Sequence, residues 1–60
     1  MLALYERVLI TEKFPDPILH GCTGKIVGFW TGYIEVLIDG GCDDGIGERV
    51  LFCDSELERI

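Results

Sequence analysis

His20 and Cys22 are the first residues in this chain that could act together chemically. A cysteine–histidine pair works as nucleophile and base when a third group orients the imidazole. No such third group is recognisable in this sequence. His20 is the only histidine and Ser55 the only serine, and nothing around them reads as a hydroxyl nucleophile with its base. The cysteines are Cys22, Cys42 and Cys53. Their odd number argues against a secreted disulfide framework, and no CxxC spacing suggests a zinc site. A metal held by His20 and Cys22 would need both remaining cysteines as ligands. Free thiols in a reducing cytosol are the expectation. Asp39, Asp43 and Asp44 stand in a glycine-rich stretch that invites comparison with a calcium loop. An EF-hand needs ligands at positions 1, 3 and 5 and a Glu at 12. Counting from Asp39, position 3 is Gly41 and position 12 is Val50. The same glycines make a poor phosphate cradle, because three carboxylates repel the anion and no Lys-Ser/Thr follows. The residues therefore point to a non-enzymatic chain with no cofactor and no metal.

Charge narrows the partners. Residues 1–38 hold four acids against three bases, a net −1, while residues 39–60 hold seven acids against two bases, a net −5. Such a surface repels phosphate backbones, so direct nucleic-acid binding is disfavoured. It attracts basic partners and speeds their encounter. No run of about 20 apolar residues is present to span a membrane. The segment Met1–Arg7 lacks a basic stretch followed by an apolar one and does not read as a signal peptide, so a cytoplasmic location is expected.

Sixty residues make one domain, and a chain of that size buries only about 60% of its unfolded surface. Its core must be dense, and the 48% hydrophobic content supplies the material. The spacing of Gly21 and Gly24 before Ile26-Val27 reads as a tight turn feeding a strand. Around it, residues 4–11, 24–30, 33–38, 49–53 and 57–60 read as five short strands. Residues 12–23 form a long first loop, in which Pro15 and Pro17 cannot donate ladder hydrogen bonds. Phe14, Ile18 and Leu19 are expected to fold back onto the core. Gly28 suggests a bulge, Thr31-Gly32 a turn, and Asp54-Ser55-Glu56 a single 3₁₀ turn. Alternation places Val8, Ile10, Ile26, Ile34, Val36, Ile38, Val50, Phe52 and Leu57 in the core. The expected architecture is all-β: a five-stranded SH3-like barrel with a long first loop and a short 3₁₀ turn before the last strand.

The order Val8-x-Ile10, Leu19-x-Gly21-x-x-Gly24-x-Ile26-x-Gly28, Tyr33-x-Glu35-Val36-x-Ile38, Val50-x-Phe52 and Glu56-Leu57 resembles SH3-like barrels that include KOW-type domains. Within that group, the chain resembles short acidic bacterial immunity or antitoxin proteins. The matching residues are Tyr5-Glu6-Arg7-Val8-Leu9-Ile10, Leu19 to Ile26, and Phe52-Cys53-Asp54-Ser55-Glu56-Leu57, and the chain departs from them at the insert Gly40 to Gly47. The resemblance implies a protein that binds and blocks a cognate toxin. Basic KOW modules meet RNA, a role that the acidic composition here does not support. Small SH3-like subunits also occur in photosynthetic complexes, although one that docks an acidic ferredoxin should carry a basic face.

The expected function is therefore protein binding, with a toxin or a complex subunit of basic character as partner. If the nine named residues fill the core, Leu37 and Leu51 fall on the opposite face. Phe29, Trp30 and Tyr33 lie beside them, either as an exposed patch or as a cap on the barrel. Exposed apolar patches mark interfaces, and Trp and Tyr are favoured anchors. Phe29, Trp30, Tyr33 and Leu37 are assigned to buried contacts, and Asp43, Asp44, Glu48 and Glu56 to charge pairing. The alternatives are a small accessory subunit of a larger complex, including a photosynthetic or redox one, and a homodimer through the Leu37/Leu51 face.

Overall fold

The computed structural model describes residues 2–60. Five strands are present: β1 (Arg7–Ile10), β2 (Thr23–Trp30), β3 (Tyr33–Gly40), β4 (Arg49–Phe52) and β5 (Leu57–Arg59). Two 3₁₀ turns, Pro17–Leu19 and Asp54–Glu56, are the only helical pieces among the described residues. All pairings are antiparallel and the strand order is β4-β3-β2-β1-β5. The chain is thus all-β with a single five-stranded sheet. Its ladder ends at β4 and β5 without closing. Among the described residues, no helix is long and apolar enough to cross a membrane.

The period-2 pattern decides which side of the sheet is dry. Ile34, Val36 and Ile38 of β3 face the same side as Ile26 of β2 and Phe52 of β4, and all are buried. Val8, Ile10 and Leu57 complete that side from β1 and β5. Val50 is only partly buried, because β4 lies at an edge of the sheet. Cys22 is a core residue that the sequence reading leaves in a loop. Backbone bonds at either end of Ile10 fold it inward: Ile10 donates to the Cys22 carbonyl at 2.9 Å and Gly21 donates to Ile10 at 3.0 Å.

The long first loop divides its apolar residues. Phe14 packs on Phe52 with ring centroids 4.7 Å apart, and Leu19 rests against the core. Ile18 does not fold back as expected; it is 65% exposed. The cause is the 3₁₀ turn, which points successive side chains about 120° apart. Asp16 caps this turn by accepting from the Ile18 N–H at 3.1 Å. Gly24 serves packing instead of a turn. A Cβ there would sit 2.5 Å from Cγ1 of Val36 and 2.6 Å from the Leu37 carbonyl oxygen.

Two register shifts shape the long β2–β3 ladder. Ile26 pairs Val36 while Gly28 pairs Glu35, so Val27 is the extra residue of a bulge on β2. Thr23 pairs Gly40 while Gly24 pairs Ile38, so Asp39 is the extra residue on β3. Asp39 there accepts from Arg7 Nη2 at 2.7 Å and from Thr23 Oγ1 at 3.1 Å, tying β1, β2 and β3 together on the wet side.

Candidate functional site

The wet face of the sheet is built by the residues that alternate with the core set. From β3 it carries Tyr33, Glu35 and Leu37, from β2 Lys25 and Trp30, and from β4 Arg49 and Leu51. Register fixes the neighbours: Tyr33 opposes Trp30, Leu51 opposes Glu35, and Arg49 and Lys25 both oppose Leu37. Trp30 is 62% exposed, Tyr33 50% and Leu51 48%, so the apolar surface gathers at the β2–β3 turn and spreads toward the β4 edge. Of the two expectations for Trp30, patch or cap, the structure gives the patch. Phe29 pairs Ile34 and so belongs to the inner side, but it lies at the end of the ladder and is half exposed. Leu37 is half-buried between its two basic neighbours.

Trp30 is not loosely placed. Its Nε1–H donates to Oε1 of Glu35 at 3.0 Å. Residues diagonal across a strand pair are within reach of long side chains, and Glu35 is two positions beyond the Trp30 partner Tyr33. Gly28 makes room for the pair, since a Cβ there would come within 2.9 Å of Glu35 Oε1 and 3.5 Å of Trp30 Nε1. Glu35 thus holds the indole in place from within the patch. The sequence reading treats Glu35 only as a marker of the wet side. Counting pairs back from the Thr31-Gly32 turn opposes 30 to 33 and 28 to 35, and that count would have identified it.

The acidic residues lie elsewhere. Asp43, Asp44 and Glu48 belong to the loop after Gly40, at the opposite end of β3 from Tyr33. An eight-residue strand spans about 25 Å, nearly the longest dimension of the molecule, 27 Å. The structure therefore does not surround the aromatic patch with these carboxylates. Instead Asp44 and Glu48 join Asp16, Ile18 and Leu19 around a small hollow of about 200 Å³. Glu56 is occupied structurally. Its Oε1 accepts from the Cys53 N–H at 2.7 Å across the second 3₁₀ turn, and its carbonyl takes the Thr11 hydroxyl and N–H.

A larger open groove of about 710 Å³ runs between β1, β5 and the start of the first loop, with His20, Lys13 and Ser55 on its walls. His20 is tied down there. A carbonyl oxygen can only accept, so Nε2 carries a proton and donates to the Phe14 oxygen at 2.6 Å. Cys22 points away into the core, with its Sγ 4.0 Å from the Ile18 oxygen. Burial is the main reason its thiol is pushed up to about 11, and the neighbouring Cys42 adds to it. The His20 and Cys22 side chains therefore make separate contacts. Among the described residues, no group of three or more His, Cys, Asp or Glu side chains is placed to hold a metal ion. Compared with protein-family models, characterised proteins and solved structures, the chain matches none.

Proposed function

We propose that the chain is a non-enzymatic protein-binding module of SH3-like barrel type, acting like an immunity protein or antitoxin on a basic partner. The carrying observation is the exposed set Trp30, Tyr33 and Leu51, with Trp30 held by Glu35, on a chain of net charge −6. A Trp oriented by a hydrogen bond offers a large contact area with little ordering cost. Strand order β4-β3-β2-β1-β5 and the 3₁₀ turn between β4 and β5 favour the SH3-like reading. Because patch and acidic loop stand at opposite ends of β3, their roles separate. The patch supplies buried contacts that slow dissociation. Asp43, Asp44 and Glu48 steer a basic partner and raise the association rate.

The test uses the protein encoded beside this chain as candidate toxin. Co-expression should restore growth, and purified components should form a complex. Trp30→Ala should weaken that complex at any salt concentration, whereas Asp43→Lys with Asp44→Lys should weaken it chiefly at low salt. If the folded triple variant captures the partner as well as the original chain does, the reading fails.

A second reading, a homodimer or a subunit of a larger assembly, is favoured by the terminal place of β4. Among the described residues its outer edge takes no ladder partner in the sheet, and it carries the half-exposed Leu51. Sedimentation of the isolated chain separates the two, since self-association lost in Leu51→Lys would support the second.

A further inference from the structure

The root of the β3–β4 loop brings together two thiols that the proposed binding role does not use. Thr23 pairs Gly40, and just beyond that pair Gly41 lies flat against the start of β2. A Cβ on Gly41 would fall 2.6 Å from the Gly21 oxygen and 3.0 Å from Cα of Cys22. A disulfide needs Cα atoms about 4.4–6.8 Å apart, and the backbone contact at Gly41 brings the chain next to Cys42 against Cys22. Cys42 follows Gly41 directly. Its side chain packs against the core that encloses Cys22, and its thiol adds to the upward push on the Cys22 thiol. Cys53 is exposed and follows Phe52, which pairs Ile34 near the far end of β3.

We propose that Cys22 and Cys42 form an intramolecular disulfide by exchange with a low-molecular-weight disulfide such as oxidised glutathione. Cys42, the more accessible of the two, reacts first. Its thiolate attacks one sulfur of the reagent, the reagent S–S bond breaks, and one thiolate departs and takes up a proton. Cys22 then gives its proton to solvent, attacks the Cys42 sulfur and expels the second thiolate, which is protonated in turn. Two protein thiols are oxidised by two electrons, and one small disulfide becomes two small thiols. Cys22 holds its proton up to about 11, so the second step limits the rate and accelerates with rising pH. The product pins the acidic segment beyond Cys42 to β2 and so couples thiol oxidation to the position of Asp43 and Asp44.

The experiment equilibrates the full chain with a glutathione redox buffer, quenches it with acid, and maps the cysteines by mass. Cys53, being exposed, takes glutathione and reports that the reagent is active. The expected product has lost two hydrogens, with Cys22 joined to Cys42. Its closure rate should rise about tenfold per pH unit between 7 and 9. Cys53→Ser should retain the link. In urea the yield of that pairing should fall at least about tenfold, since native contact supplies the effective concentration. The proposal is overturned if Cys53 is glutathionylated while Cys22 and Cys42 remain thiols. It also fails if Cys42 stops as a mixed disulfide, or if either cysteine pairs with Cys53 instead.

Discussion

Gly32 and Gly41 stand at the two ends of β3 and share φ 79°, yet they do different work. At the β2–β3 turn nothing lies within 4 Å of where a Gly32 Cβ would project. That glycine is needed only for its left-handed backbone, a purely local requirement. At the other end, Gly41 has the same backbone but is pressed onto Gly21, Cys22 and Thr23. There the requirement is tertiary, because two distant segments meet with no room for a methyl group. The contrast extends to the surroundings. The tight turn presents Trp30 and Tyr33 outward, whereas the longer loop turns Cys42 inward and its carboxylates out.

The largest effect is expected at Gly41. Gly41→Ala adds left-handed strain of about 1–2 kcal/mol to overpacking of about 1–3 kcal/mol. A combined loss of about 3 kcal/mol should appear in urea unfolding, and a loss below 1 would show that the loop is not pressed on β2. Next in size is a pH effect at the same end. The Cys22 thiol, ordinarily 9.0, is raised to about 11 in the folded chain. Its contribution to stability is complete below pH 9 and is lost as pH rises toward 11, because the unfolded chain releases its proton first. The loss is on the order of 2–3 kcal/mol, read as the difference in pH dependence between the original chain and Cys22→Ala.

At the open end the effects are smaller. Gly32→Ala should cost about 1–1.5 kcal/mol, and Gly32→Asn a few tenths, because Asn tolerates the left-handed region. Equal costs for alanine at 32 and 41 would erase the distinction. The smallest effect is expected from Glu35→Ala. It removes a half-exposed hydrogen bond to Trp30, worth about 0.5–1 kcal/mol, and should redden the indole emission while leaving the fold intact. Unchanged emission would mean that Glu35 does not position the indole.

Much of the sheet is legible because its determinants are local. Strands β2, β3 and β4 follow alternation that any reader of Ile34, Val36, Ile38 and Phe52 can count, and the Thr31-Gly32 turn sets their register. The bulge at Val27 was signalled by Gly28, although the residue left over is its neighbour. Cys22 and Ile18 were harder. Both lie in an irregular segment without a period, and only the backbone bond to Ile10 and membership of the core cluster distinguish the buried Cys22 from the exposed Ile18. The candidate site was legible in part. Tyr33 and Leu37 were placed on the outer face by period alone, whereas Trp30, left between patch and cap, reaches that face through the bulge at Val27, and the separation of Asp43, Asp44 and Glu48 from them depends on which end of β3 the loop leaves.

By itself, the sequence determined an all-β chain with five strands, the identity of nearly every core residue and an acidic surface. Those properties arise from side-chain period, turn chemistry and charge, which act over a few residues. Tertiary structure decided that the ladder ends at β4 and β5, that Glu35 braces Trp30, and that Gly41 presses against Cys22. Each depends on the approach of segments distant in the chain or on side chains crossing between strands, and no local preference encodes that geometry.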